Sequence, residues 1–190
     1  MLFVDECHLV WGDARGYVWG PRGKRIVLPI KNIRTRQTYY GALNLVTGWP
    51  ILWKAERGCK EQTVAFLAYL RQVFQGRRLI IVWDRASYHT AKLVEDYVQQ
   101  LPGLGGLKEE RPIECVLFAA REPAQNPVED VWLAGKREVR RQWANLTTFQ
   151  DVKAIFMQTI THRQCLFKKL KWYGREHLIR LRREAGFQWE

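Results

Sequence analysis

The sequence predicts an α/β protein built on a mixed five-stranded sheet with helices on both faces. Two neighbouring apolar segments meet at Thr47-Gly48 and are typical of an antiparallel hairpin. Two later apolar runs, 78–84 and 113–120, are each followed by a helical segment, as in strand–helix crossovers to parallel strands. With 47% hydrophobic residues in a chain of 190, the protein can bury one sizeable core. Antiparallel strands followed by crossovers give a mixed sheet covered by helices.

Residues 2–11, LFVDECHLVW, form a nearly continuous apolar run that predicts a buried first strand. The segment RIVLPI at 25–30 is also strand-like, and residues 36–48 and 49–56 supply the hairpin. Because the chain opens inside its first core strand, we expect that it lacks an upstream module.

Helical periodicity begins at residues 61–75, where apolar side chains recur on one face. Further helices are predicted at 90–101, 127–143 and 149–163, and the cluster PGLGG at 102–106 separates the first of these from the next strand. We predict a domain over 1–165 and a basic, aromatic, helical tail over 166–190 that is interrupted at Gly174.

The composition restricts the partners. Lys and Arg number 31 against 19 Asp and Glu, giving a net charge of +12, so nucleic acid is the expected partner. No apolar run reaches the roughly 18 residues of a membrane span, which argues against a membrane partner. The four cysteines form no CxxC pair, which disfavours a zinc site. Cys59 and Cys115 lie among strand-like residues, and we expect them to be reduced and buried in a cytoplasmic protein.

The stretch EPAQNPVEDVW at 122–132 marks the start of a helix with two carboxylates in its first turn. Asn126 is a favoured N-cap, and Pro127 suits the first helical position. Glu129 and Asp130 are both favourable near the positive end of a helix dipole, and Glu129 could complete a capping box. Asp130 is assigned to this structural role, whereas Glu129 also has a functional interpretation.

Three carboxylates, Asp5, Asp84 and Glu129, can converge at one end of the predicted sheet. Asp5 lies on the first strand, Asp84 ends the strand IIVWD, and Glu129 begins the helix after the last strand. Such oxygen ligands suit Mg²⁺ or Mn²⁺, and two ions per active site would serve both oxygens of a phosphodiester displacement. Asp84 could instead be a turn residue, and strand alternation puts Glu6, the neighbour of Asp5, on the opposite face.

FVDE at 3–6, WDRASYH at 83–89 and NPVEDVW at 126–132 resemble the ordered signatures of DDE transposases of the mariner superfamily, in its bacterial insertion-sequence branch. GYVWGPRG at 16–23 resembles the segment after the family's first carboxylate, and Arg85 replaces the usual Asn of the second signature. The resemblance implies an RNase H-like fold with Asp5, Asp84 and Glu129 as the metal-binding triad. His89 would lie near the second ligand, in either a DNA-binding or a structural role.

The resemblance further implies DNA cleavage and strand joining at element ends during insertion-sequence transposition, in the cytoplasm of a bacterium, with a homodimer as the expected assembly. The family's N-terminal helix-turn-helix region is absent from the sequence. Basic side chains after Glu129 and in the tail are candidates for phosphate contacts, or else form solvated helix faces. They are Lys136, Arg137, Arg140, Arg141, Lys168, Lys169, Lys171 and Arg175.

Two other functions fit the same sequence. A different nuclease of this fold would cleave RNA–DNA hybrids or junctions. A non-catalytic remnant would bind DNA without cutting it, and its affinity for DNA would not depend on divalent ions.

Overall fold

The computed structural model describes residues 1–14, 20–24, 35–100, 113–120 and 123–185. The predicted strand at 25–30, the cluster at 102–106 and the first part of the 16–23 segment lie outside these residues. The helices and strands are, in chain order, β1 (Leu2–Val10), β2 (Arg36–Asn44), β3 (Pro50–Ala55), α1 (Lys60–Val73), β4 (Leu79–Trp83), α2 (Lys92–Gln100), β5 (Ile113–Leu117), α3 (Val128–Arg141), α4 (Phe149–Thr161), α5 (Lys169–Trp172) and α6 (Arg175–Glu184).

The five strands form one mixed sheet in the order β3-β2-β1-β4-β5. β2 pairs antiparallel with both β1 and β3. The chain then crosses over to β4, which pairs parallel with β1, and to β5, which pairs parallel with β4. β1 is therefore the central strand, with an antiparallel neighbour on one side and a parallel neighbour on the other. This arrangement confirms the predicted mixed sheet and its hairpin.

Alternating side chains of β1 enter two separate apolar cores. Phe3, Cys7 and Leu9 pack with residues of α3 and α4 on one face of the sheet. Leu2 and Val4 pack with residues of α1 and α2 on the other face. Because successive strand residues point to opposite faces, helices cover both sides of the sheet, as predicted.

The tail folds back onto the first of these cores. Leu170 of α5 is 1% exposed, and the Tyr173 ring lies 4.5 Å from the Phe3 ring, measured between centroids. Gly174 adopts a left-handed conformation with φ of 71°, which separates α5 from α6 as the sequence predicts. The division at residues 165 and 166 stays a prediction. Within the described ranges, no helix is both long and apolar enough to cross a membrane.

The expected burial of Cys59 and Cys115 is wrong. Cys115 is exposed because β5 is an edge strand, and Cys59 is half-buried because it is the N-cap residue of α1 rather than part of a strand. All four cysteines are free thiols, and Cys7 and Cys165 are the buried ones.

Candidate active site

Asp5 and Asp84 occupy neighbouring positions on the two central parallel strands. β1 and β4 pair in parallel with Leu2 opposite Ile81 and Phe3 opposite Val82. Counting two residues onward from Phe3 in β1 and from Val82 in β4 leads to Asp5 and Asp84. Asp84 directly follows the last residue of β4. The topology therefore brings together two carboxylates that are far apart in the sequence.

Trp132 of α3 holds the carboxylate of Asp5. The indole Nε1–H donates a hydrogen bond to Asp5 Oδ2 at 3.0 Å. The ring has room because Gly41 stands opposite Asp5 on β2, and a Cβ atom at Gly41 would lie 2.2 Å from a Trp132 ring carbon. The indole also stacks on the Phe156 ring, with 6.1 Å between centroids, and this contact helps to fix its orientation.

The surroundings of Asp5 oppose its ionisation. Burial, the largest cause, and the nearby charges of Glu6 and Glu129 together raise the pKa of its carboxyl to about 7, against the hydrogen bond from Trp132. A bound cation would reverse this effect by stabilising the carboxylate. Because Glu129 acts on Asp5 electrostatically, the start of α3 lies near the first carboxylate.

Asn126 ties the start of α3 to β1, one residue before Asp5. Its Nδ2 donates to the Val4 carbonyl oxygen at 3.3 Å, and its Oδ1 accepts from the Val128 N–H at 3.1 Å. The helix begins at Val128 with Pro127 as its N-cap residue, so the N-cap predicted at Asn126 is displaced by one position. Glu129 lies exposed in the first turn, where this tether places it.

Asp84 is held by the loop that follows it. Its Oδ1 accepts the Ala86 N–H at 3.0 Å and lies 2.8 Å from His89 Nδ1. The other ring nitrogen of His89, Nε2, lies 2.8 Å from Oε1 of Glu6, whose side chain is 3% exposed. The Tyr88 hydroxyl donates to the second oxygen of Glu6 at 3.0 Å. A buried imidazole thus bridges two carboxylates from β1 and from the end of β4.

The electrostatics match this arrangement. Burial alone would lower the pKa of His89, but its hydrogen bonds to Asp84 and Glu6 outweigh that effect and raise the pKa to about 9. The hydrogen bond from His89 is also the main reason why the pKa of Asp84 is lowered. Both ring nitrogens of His89 face acceptors, so the imidazole is fully satisfied in its protonated form.

His89 is too buried for the direct DNA contact predicted for it. Its side chain is 0% exposed, and its ring stacks on Trp83 with centroids 4.5 Å apart and an interplanar angle of 6°. The structure places His89 beside Asp84, as the sequence predicts, and both ring nitrogens contact carboxylates within the protein.

The donor set of Asp5, Asp84 and Glu129 has the chemistry that Mg²⁺ or Mn²⁺ requires. All three are carboxylates, and the pKa of Asp5 is raised first by its burial and then by the neighbouring charges of Glu6 and Glu129. Among the described residues, no three His, Cys, Asp or Glu side chains stand close enough together to hold a metal ion. Asp84 is 55% exposed, and Glu129 is also exposed.

Several predicted phosphate-binding residues are engaged within the protein. Lys136 pairs with Asp13 at 3.3 Å, and Lys169 pairs with Asp130 at 3.1 Å. Arg141 forms two hydrogen bonds with Glu138, at 2.5 and 2.9 Å.

Two further candidates in the tail are likewise engaged. Lys171 pairs with Glu176 at 2.8 Å, and Arg175 donates to the Val46 carbonyl oxygen at 3.2 Å. Lys168 is exposed, as is Arg137 on α3, while Arg140 is half-buried.

An open groove of about 380 Å³ runs along α3 from Asp130. Arg137 and Arg141 line one wall, and Arg163, which the sequence analysis did not single out, lies on the other side with Phe167. Of the basic residues predicted after Glu129, Arg137 and Arg141 line this groove, and the carboxylates of Asp130 and Glu138 line it as well.

Sequence analysis missed Glu6 and Tyr88 as site residues. Alternation along β1 correctly places Glu6 on the face opposite to Asp5, but a charged side chain on a buried face needs a partner. Within the three signatures, Arg85 and His89 are the residues that can carry the opposite charge. The need of Glu6 for such a partner was therefore the observation that could have identified it as a site residue.

The sheet order, with one carboxylate within β1 and another directly after β4, is that of the RNase H-like fold of transposase and integrase catalytic domains. The family described as DDE superfamily endonuclease matches residues 1–153, and the chain belongs to this family. No curated protein matches the chain significantly.

Solved structures share the fold. The chain is similar to Mos1 transposase in a pre-cleavage transpososome, with a TM-score of 0.60 and 16% identity over 100% of this chain and 56% of that chain. It is similar to the catalytic core domain of BIV integrase, with a TM-score of 0.51 and 12% identity over 95% of this chain and 97% of that one. The chain spans about half the length of the Mos1 chains in the paired-end and strand transfer complexes, at 53% and 55%.

Proposed function

We propose that this chain is the catalytic domain of a transposase that cuts and joins DNA phosphodiester bonds with Mg²⁺ or Mn²⁺, two ions per active site. The observation that carries the proposal is the juxtaposition of Asp5 and Asp84 on parallel strands, with Glu129 tethered nearby through Asn126. Family membership and the folds of transposases and integrases support it.

Asp5, Asp84 and Glu129 would hold the ions. When bound, such ions lower the pKa of water and stabilise the attacking and leaving oxygens of an in-line displacement. Trp132 fixes one oxygen of Asp5, and His89 fixes one oxygen of Asp84, so that each carboxylate is oriented before DNA arrives. Glu129 is exposed in the first turn of α3, and its charge acts on Asp5.

The DNA would lie along the groove of α3. Its phosphates would meet Arg137, Arg141 and Arg163, and the exposed Lys168 would contribute from the tail. Contacts of this kind supply affinity without sequence choice. The net charge of +12 supports a polyanionic partner.

The biological setting is part of the same proposal. The three signatures resemble those of the insertion-sequence branch of the mariner superfamily, so the chain would act on the element's ends and on target DNA in a bacterial cytoplasm. A homodimer would hold two element ends together.

Plasmid nicking tests the proposal. The wild-type protein should convert supercoiled DNA to open circles with Mg²⁺ or Mn²⁺, and Asp84→Asn and Glu129→Gln should reduce nicking to background. Asp96→Asn on α2, away from the sheet edge that holds the triad, is the matched control and should nick like wild type. Nicking by Asp84→Asn at the wild-type rate would refute the assignment, and cleavage confined to RNA–DNA hybrids or junctions would indicate a different nuclease.

A further inference from the structure

Glu6 is the least expected group at this site, because it is a carboxylate on the buried face of the central strand. Its side chain is 3% exposed, although an unpaired buried charge is costly. Both of its oxygens have donors: His89 Nε2 at 2.8 Å from Oε1, and the Tyr88 hydroxyl at 3.0 Å from Oε2. The structure therefore gives a hydrogen-bond partner to each oxygen of a carboxylate on the face of β1 opposite to Asp5.

The line of contacts continues from Glu6 to the proposed metal ligand. His89 lies between Glu6 and Asp84, with 2.8 Å to a carboxylate oxygen on either side. The Trp83 ring covers one face of the imidazole, and the Tyr88 ring meets it edge-on at 4.7 Å. With both nitrogens and one face engaged, the imidazole has a single orientation available.

We propose that Glu6 is a positioning residue for metal binding: through His89 it fixes Asp84 so that the second oxygen of that carboxylate faces the ions. This inference rests on the proposed function and assigns a role to a residue outside the metal-binding triad. The physical reason is that partners of ligands orient those ligands and tune their basicity, and that their loss commonly costs about 10- to 100-fold in metal affinity.

Calorimetric titration of the metal-free protein with Mn²⁺ alone tests the role without relying on catalysis. Glu6→Met keeps the side-chain length but cannot accept from His89, so the dissociation constant for Mn²⁺ should rise by about 10- to 100-fold. Glu6→Gln retains an acceptor oxygen and should stay within about threefold of wild type, since it preserves the contact. Asp96→Asn on α2 is the control and should bind Mn²⁺ as wild type does.

The outcomes separate the two proposals. If the wild-type protein fails to bind Mn²⁺, the proposed function is refuted and this inference with it. If wild type binds and a folded Glu6→Met variant binds equally well, only the role of Glu6 is refuted.

A second measurement covers the case in which Glu6→Met does not fold. NMR of the wild-type protein should show a slowly exchanging proton on His89 Nε2, hydrogen-bonded to Glu6, and this proton should persist in Glu6→Gln. A His89 Nε2 without a hydrogen bond to Glu6 would overturn the proposal.

Discussion

Replacing Asp5 with Asn should stabilise the metal-free protein at neutral pH while abolishing nicking. The carboxyl has an ordinary pKa of 3.8 that the folded protein raises to about 7, mainly through burial. Each unit corresponds to about 1.36 kcal/mol, so ionising Asp5 in the folded state costs roughly 4 kcal/mol at most. Asn retains an oxygen that can accept from the Trp132 indole but carries no charge, and this cost disappears.

The pH dependence has a definite sign. Between pH 3.8 and about 7 the folded protein holds a proton on Asp5 that the unfolded chain has released, so wild-type stability falls as the pH rises through this window. The stability difference between Asp5→Asn and wild type should therefore be under about 1 kcal/mol near pH 4 and approach roughly 4 kcal/mol near pH 8.

Urea unfolding in the presence of a chelator measures this difference directly. All other titrating groups are shared, so subtracting the two free energies of unfolding isolates Asp5. Asp96→Asn serves as the control and should give no comparable trend. A difference that stays constant from about pH 4 to about pH 8, or that changes in the opposite direction, would refute the claim that burial makes ionisation of Asp5 unfavourable in the folded, metal-free protein.

Three further expectations concern neighbouring residues. Gly41→Ala places a Cβ within 2.2 Å of the Trp132 ring, so urea unfolding should show a loss of about 1–3 kcal/mol, and nicking should fall as the donor to Asp5 moves. His89 has a pKa raised to about 9, so it contributes stability that is complete below about pH 6.5 and lost as the pH rises through 9. Relative to His89→Gln, wild-type unfolding free energy should drop by on the order of 3 kcal/mol across that window. Lys168→Ala should weaken binding to all DNA sequences alike and reduce the slope of log affinity against log salt by about one, as measured by fluorescence anisotropy.

Much of the fold follows from local patterns. The apolar runs that become β1 and β4 are long enough to be recognised as covered strands, even though β1 carries Asp5 and Glu6. The turn at Thr47-Gly48 contains a glycine with φ of 70°, which the hairpin requires. Of the proposed site, Asp5 is indicated because a charge within a buried run demands an explanation, whereas Asp84 and Glu129 are indicated by the signatures that contain them.

What it could not supply were contacts between residues distant in sequence. The bridge from Glu6 to Asp84 depends on β4 pairing beside β1, and the donor to Asp5 depends on a helix that begins more than a hundred residues later. Lys169 illustrates the converse: its charge predicted a DNA contact, but the tail folds back and gives it Asp130 as a partner. Charge alone does not distinguish a solvent-facing lysine from one that is paired across two helices.

The path of the C-terminal segment restricts how this protein can be re-engineered. The Tyr173 hydroxyl donates to the Gln125 carbonyl oxygen at 2.6 Å, and Lys169 reaches the Asn126 carbonyl oxygen at 3.5 Å. Exchanging everything after Cys165 for the corresponding piece of a relative, in order to alter DNA preference, would also remove two supports beneath the loop that delivers Glu129. Grafts of that kind need to carry both anchoring side chains with them, or the chimera will lose cutting activity for reasons unrelated to DNA recognition.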